Sequence, residues 1–207
     1  MCRSSLSPDH GTDRDVNEKD GLAGPRAIFG HAINMSEHDF AHCHHSGCTL
    51  AHCPTSNLFL GSGAFRLFDA LKPDRPVHVA LGTDIGAGTS LSLLATMGEA
   101  YKVSLMAGDT RLSAAQALWL ATAGAARALH LHDRIGHIAP GMVADLCVIE
   151  PHAPSLMSLG SARITTLGER LITQQEWGDD PVTRAPRRHR QVIGRVSCRE
   201  RGDTIVA

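Results

Sequence analysis

Short apolar runs alternate with stretches of helical spacing along the middle of the chain. Three apolar runs, each typical of a buried strand, cover residues 27–31, 48–52 and 77–84. Helical patterns follow them over about residues 36–47, 64–71 and 91–106. Because strands that alternate with helices are typical of parallel sheets with helical crossovers, the sequence predicts an α/β fold.

Capping residues set the expected ends of two helices. Ser36 is a typical N-cap with Asp39 three residues on, and Gly47 stands just past the expected end of that helix. Ser113 with Gln116 three residues later forms a capping-box pattern. The sequence therefore predicts a helix of about ten residues after Ser36 and a longer one from Ser113 to about residue 129.

The composition divides the chain into four predicted segments. Residues 1–24 are polar and highly charged, and we expect them to be disordered because they bury too little surface to offset their ordering entropy. Residues 25–130 hold the strands and helices. The turn dipeptide Pro140–Gly141 lies within residues 131–150, where we predict a small β element. Residues 151–207 lose periodicity, and we interpret their arginine-rich end as an irregular, solvated tail.

Charge and apolar content argue against several classes of protein. A formal net charge of −1 over 207 residues disfavours a nucleic-acid binder, whose phosphate contacts need a basic surplus. No apolar run reaches the roughly 20 residues that span a bilayer, and the polar N-terminal stretch has no signal-peptide core. Six cysteines in such a chain are expected to be reduced thiols. These features predict a cytoplasmic protein with no nucleic-acid or membrane partner.

Three predicted strands end in side chains that carry chemistry, namely His31, His52 and Asp84. Ligands bind at the carboxyl ends of strands in parallel α/β sheets and barrels, so these residues are expected to converge on one site. Asp84 either binds a cation or accepts N–H groups from the turn at residues 86–89. His31 is either a site residue or a core histidine that donates to a backbone carbonyl. His52 either supports the site or simply organises the following loop.

Histidines and cysteines crowd the region around the first two strands. Six of the 13 histidines lie between His31 and His52, and Cys43, Cys48 and Cys53 follow one another at intervals of five. Zinc modules use shorter spacings, typically C-x2-4-C, so a structural zinc module is not expected. The histidines at positions 38, 42, 44 and 45 fall on the predicted helix and are expected at the surface. The glycine-rich turn after Asp84 lacks both the P-loop lysine and the third glycine of the dinucleotide fingerprint.

Four segments of the chain resemble guanine deaminases of the metal-dependent amidohydrolase superfamily. The most specific of them is HCPTSNLFLGSG at residues 52–63, and residues 81–90 are similar to that family's strand-end motif LGTDVGGGTS. Residues 99–102 match its EAYK, and residues 135–146 resemble an element that most amidohydrolases share. The resemblance extends over about residues 21–150.

The resemblance implies a zinc hydrolase built on a TIM (β/α)8 barrel, which deaminates guanine to xanthine and ammonia and forms homodimers. Asp84 matches the strand-8 aspartate that binds zinc and contacts the substrate. His31 matches the strand-6 histidine that assists the metal-bound water, whose pKa zinc lowers towards 7. His52 lies on strand 7, where the family uses it to shape the pocket.

The chain departs from the family pattern in length and in metal ligands. A complete barrel takes about 250 residues, whereas the strands predicted here correspond to strands 6–8. The strand-1 His-x-His pair, the strand-5 histidine and the general-acid glutamate have no counterpart, since His130 and His132 follow Asp84. We therefore interpret the chain as the C-terminal part of an amidohydrolase barrel, inactive alone. Another amidohydrolase (a chlorohydrolase or related deaminase) and a non-catalytic fragment that pairs with a partner stay open.

Overall fold

Three parallel strands form the sheet of the molecule. The computed structural model describes residues 23–108 and 110–143, together with residues 145–146, 166 and 194–195. Strands β1 (Ile28–Gly30), β2 (Thr49–His52) and β3 (His78–Leu81) pair in that order, all parallel. Because parallel neighbours require crossover connections, each pair of strands is joined by helical segments. The predicted α/β architecture is confirmed for this part of the chain.

Helix α1 (Glu37–Ser46) ends where its capping residues predict. The Ser36 hydroxyl accepts from the Asp39 backbone N–H at 3.2 Å, and the Asp39 carboxylate accepts from the Ser36 N–H at 2.7 Å. Gly47 adopts a left-handed conformation with φ of 69°, which glycine takes without steric cost. The predictions for both ends of this helix are confirmed.

Two short helices form the second crossover, and the sequence predicted only one of them. Helix α2 (Pro54–Phe59) begins directly after β2, where a loop was expected, and its first four residues are buried. They are proline and small polar residues, so no apolar periodicity marks them as a helix. Helix α3 (Leu67–Ala70) is shorter than the predicted residues 64–71.

The helices after β3 depart from prediction at one point. Helix α4 (Leu93–Ala107) covers the predicted third crossover, with Ser92 as its N-cap. The predicted long helix from Ser113 is instead two helices, α5 (Ala114–Ala121) and α6 (Ala123–Ala128), which meet at Thr122. The φ of −128° and ψ of −97° at Thr122 lie outside the helical region. Gly124 then packs so closely on Trp119 that an added Cβ would overlap the indole ring.

The central strand lies in the core, whereas β1 does not. Leu50 of β2 and Val79 of β3 are buried among the apolar side chains of the surrounding helices, which include Phe40, Phe65, Met97 and Leu120. Ile28 of β1 is 51% exposed, so the prediction of a buried strand at residues 27–31 is wrong. The reason is that helices α5 and α6 pack against β3, the other outer strand, whereas β1 has its main contacts with β2 among the described residues.

One strand of the small β element lies within the predicted residues 131–150, and its partner strand does not. Strand β4 (Asp145–Leu146) pairs antiparallel with β5 (Gly194–Arg195), which lies in the tail that was predicted to be irregular. Residues 135–137 are bends and residue 138 has no regular secondary structure, so this run is not a strand. The predicted disorder of residues 1–24 falls almost wholly outside the described residues, as does most of the 151–207 tail. No helix in the described ranges is long and apolar enough to cross a membrane.

Candidate active site

The two predicted site residues lie side by side at the carboxyl ends of the strands. His31 directly follows β1, and Asp84 lies three residues after β3. The Nε2 atom of His31 is 3.8 Å from Oδ2 of Asp84, and both side chains are partly open to solvent. The parallel topology therefore brings a histidine and a carboxylate from separate strands to one edge of the sheet.

The backbone is left-handed at both of these positions. The φ angles are 67° at His31, 48° at the following alanine and 47° at Asp84. Such angles are uncommon for residues with a Cβ and cluster at functional sites. Backbone hydrogen bonds hold the chain there, because the His31 N–H donates to Ala51 and the Gly88 N–H donates to the Asp84 carbonyl.

The turn after Asp84 contacts the backbone of this residue. The N–H of Gly88 donates to the backbone carbonyl of Asp84 rather than to its carboxylate. The side chain of Asp84 is 37% exposed rather than buried. Within the described residues, the ring of His31 is the ionisable group beside this carboxylate, at 3.8 Å. The carboxylate is therefore open to a ligand on its solvent side.

The ring of His31 is hydrogen-bonded to the side chain of a buried residue. Its Nδ1 lies 2.8 Å from Oδ1 of Asn57, a residue of α2 that is 2% exposed. Asn57 was not predicted as a site residue, although it lies inside the segment at residues 52–63 that resembles guanine deaminases. The Nδ2 of Asn57 is buried and has no hydrogen-bond partner in the described part of the chain.

His52 is enclosed behind the site instead of facing it from the solvent. Its ring packs on Phe65 with 4.9 Å between ring centroids, and it is 1% exposed. Burial lowers the pKa of His52 to about 3, so the ring is neutral at pH 7. Neither ring nitrogen has a hydrogen-bond partner among the described residues.

The neighbouring cysteines and histidines occupy ordinary structural positions. Cys43, Cys48 and Cys53 are buried thiols. Burial raises the pKa of the Cys53 thiol, the His31 backbone N–H opposes this rise, and the Asp84 carboxylate adds to it. The other histidines of this region lie on α1 and are exposed or half-buried, at positions 38, 42, 44 and 45.

The residues of the site supply only part of a zinc coordination shell. Catalytic zinc is held by three protein ligands and keeps an open position for water or substrate. Asp84 offers one carboxylate, and the described residues contain no group of three or more side chains that could hold a metal ion. This part of the chain does not form a zinc site by itself.

Comparisons with known proteins match most of the chain to one family. The amidohydrolase family model matches residues 7–175. The chain is 43% identical to guanine deaminase of Escherichia coli strain K12 over 176 residues, which is 85% of this chain and 39% of that protein. The solved structure of E. coli guanine deaminase superimposes with a TM-score of 0.77, covering 85% of this chain and 40% of that one.

Two further solved structures are similar. An adenosine deaminase from Xanthomonas campestris with bound zinc has a TM-score of 0.66 and 30% identity, over 77% of this chain and 36% of that one. A guanine deaminase from C. acetobutylicum with guanine in its active site has a TM-score of 0.64 and 28% identity, over 76% of this chain and 37% of that one.

The matches confirm the predicted fold and show how much of a relative's length the chain covers. Its parallel α/β unit is part of a TIM barrel of the metal-dependent hydrolase type. The chain spans about two fifths of the length of the E. coli enzyme. Because the family model covers most of the sequence, the chain belongs to the amidohydrolase family.

Proposed function

We propose that this chain supplies the strand-6 to strand-8 part of a guanine deaminase active site. The reaction adds water to C2 of guanine and releases the amino group, giving xanthine and ammonia. The observation that carries the proposal is the pairing of His31 with Asp84 at the strand ends. It occurs in a chain that is 43% identical to a guanine deaminase. The solved relative with guanine in its active site supports the choice of substrate.

The two side chains take complementary roles. Asp84 contacts the substrate and accepts a proton from the attacking water, since its carboxylate is open to solvent beside His31. His31 hydrogen-bonds the attacking oxygen and stabilises the tetrahedral intermediate. In an assembled site Asp84 is also one zinc ligand, and the remaining ligands lie outside the described residues. The zinc-bound relative supports this assignment of the metal.

Complementation tests the proposal directly. We co-express the 207-residue chain with the portion of E. coli guanine deaminase that precedes the matched region, and measure ammonia release from guanine with added zinc. The co-purified pair is expected to turn over guanine, whereas the chain alone is expected to be inactive. Asp84→Asn is expected to lower turnover at least 100-fold, as loss of a proton-transfer group does. Asp74→Asn, at an exposed position away from the site, is the matched control.

The outcomes separate the competing functions. A stable, zinc-loaded complex of the two portions that does not turn over guanine would overturn the proposal. Turnover of a chlorinated or differently aminated ring by that complex would favour another amidohydrolase. Turnover by the isolated chain would contradict its expected inactivity. If the co-purified complex carrying Asp84→Asn turned over guanine as fast as the complex carrying Asp74→Asn, Asp84 would have no part in the reaction.

Location and assembly are part of the same proposal. The buried thiols at Cys43, Cys48 and Cys53 support the cytoplasm, where thiols stay reduced, as the site of purine breakdown. The resemblance to guanine deaminases supports a homodimer of the complete enzyme.

A further inference from the structure

Two neighbouring histidines at the end of α1 are each held by a backbone carbonyl. The Nδ1 of His44 lies 2.7 Å from the carbonyl oxygen of Pro76, and the Nδ1 of His45 lies 2.6 Å from that of Ala41. A backbone carbonyl oxygen can only accept a hydrogen bond, so Nδ1 is the donor in both contacts. The second ring nitrogen, Nε2, therefore carries the lone pair on each neutral ring.

This arrangement is typical of histidines that bind metal ions. A metal-binding histidine donates its other ring N–H to a carbonyl, a carboxylate or water, and that contact fixes the ring. Imidazole nitrogen is a preferred ligand of Ni²⁺, Cu²⁺ and Zn²⁺. The side chains of His44 and His45 are both exposed, so an ion reaches them from solvent without any change in the core.

The two rings lie at a separation that one ion can bridge. Two imidazoles that share a metal ion through bonds of about 2.1 Å have their ring centres about 5 Å apart. The ring centroids of His44 and His45 are 5.5 Å apart, and the ring planes are inclined at 83°. Small rotations of two exposed side chains therefore suffice to bring both nitrogens onto one ion.

The charge distribution along α1 favours a cation at this end. His44 and His45 lie in the last turn, where the helix dipole places partial negative charge. The cationic side chains that follow α3, Lys72 and Arg75, pair with Glu37 in the first turn. These positive charges are thus held at the opposite end of the helix, about 12 Å away along its axis.

The histidine pair lies at the far side of the sheet from the candidate active site. Helix α1 ends before β2 begins, and Pro76 precedes the start of β3, so the pair is at the amino ends of the strands. His31 and Asp84 follow the carboxyl ends. Strands of this length separate the two ends by about 10 Å, and an ion at one end does not contact the other.

We propose that His44 and His45 form a surface site for one divalent transition-metal ion, such as Ni²⁺, Cu²⁺ or Zn²⁺. Water completes the coordination, since the pair supplies two of the three protein ligands that a catalytic zinc takes. The site is separate from guanine hydrolysis and does not rest on the proposed function.

Titration of the full 207-residue chain with Ni²⁺ tests the site. Octahedral Ni²⁺ is paramagnetic and broadens the NMR signals of the rings that bind it. Two-bond proton–nitrogen spectra resolve the ring signals of the 13 histidines, and His44→Gln and His45→Gln variants assign the two that matter. We expect the His44 and His45 signals to broaden together, below one equivalent of Ni²⁺ and before those of the other histidines.

Calorimetry of the variants measures the contribution of each ring. Loss of an outer-shell partner alone costs 10–100-fold in metal affinity, so His44→Gln and His45→Gln are each expected to weaken Ni²⁺ binding at least about 10-fold.

The same helix supplies a matched control. His38 and His42 are four residues apart on α1 and neighbour each other on its surface, so they are the competing pair. The double variant His38→Gln/His42→Gln is expected to leave the affinity for Ni²⁺ unchanged.

The outcomes locate the ion. Absence of broadening at stoichiometric Ni²⁺ overturns the proposal whether or not the variants fold. Unchanged affinity in folded His44→Gln and His45→Gln overturns it as well, and so does a loss of affinity confined to the control variant. Broadening that begins at His31 would place the ion at the candidate active site, which overturns this proposal and leaves the proposed function intact.

Discussion

His52 makes the stability of the folded chain sensitive to acid. Burial lowers its pKa from 6.5 to about 3. His52 therefore binds a proton near pH 6.5 in the unfolded chain but only near pH 3 in the folded chain. The stabilisation from the neutral ring is complete above pH 6.5 and declines as the pH falls, by up to ~1.4 kcal/mol per pH unit. Urea unfolding curves at a series of pH values measure this loss.

The contribution of His52 is isolated by substitution. His52→Leu removes the titration and is expected to flatten the decline in unfolding free energy between pH 6.5 and 3. His38→Leu, at an exposed position of α1, is expected to leave the decline as it is. A His52→Leu chain with the same pH slope as the unaltered one would show that another group causes it.

Single residues differ in how far the sequence reveals them. His31 and Asp84 could be predicted because each stands at the end of an apolar run, and parallel strands bring such ends together. Asn57 could not, because its role depends on a contact between residues 26 apart in the chain. The exposure of Asp84 also escaped prediction, since apolar neighbours in sequence do not show which side of a turn is covered.

At the scale of elements, the N-cap of α1 is a stabilising contact that can be measured alone. The Ser36 side chain and the Asp39 carboxylate satisfy each other's backbone N–H groups. Ser36→Ala removes the hydroxyl that accepts from the Asp39 backbone N–H. The substitution is expected to lower the unfolding free energy by about 1 kcal/mol. Urea unfolding at neutral pH measures the change.

A serine in a loop serves as the control for that substitution. Ser62 is exposed and caps no helix, so Ser62→Ala is expected to change stability by under about 0.5 kcal/mol. Equal effects of the two substitutions would mean that the capping box does not stabilise α1.

Elements with strong local signals were predicted, and those governed by tertiary packing were not. Helix α1 carries an N-cap, a capping box and a terminal glycine, and its predicted ends agree with the structure. Helix α2 buries polar residues, which reverses the usual pattern and hides it from a periodicity argument. The break at Thr122 lies in an alanine-rich stretch of good helix formers. Packing of Gly124 on Trp119 accompanies it there, a contact that single-residue helix propensities do not reveal.

The whole molecule has an exposed sheet edge. Strand β1 pairs with β2 alone among the described residues, and Ile28 on it is half exposed. The alternation of strand and helix predicted the parallel sheet. The correspondence of these strands to strands 6–8 of a barrel also implies exposed sheet edges, and β1 is one of them. An open edge with apolar side chains is a template for another strand.

We therefore expect the isolated chain to associate with itself through β1. Sedimentation velocity is expected to show a larger species that grows with protein concentration. Ile28→Lys places a charge on the edge and is expected to shift the chain towards the monomer, because lysines on edge strands oppose pairing. His38→Lys adds the same charge on exposed α1 and is expected to leave association unchanged. If both substitutions disperse the chain equally, general charge rather than the β1 edge governs association. Addition of the complementary E. coli portion is expected to suppress association too, since it would cover the same edge.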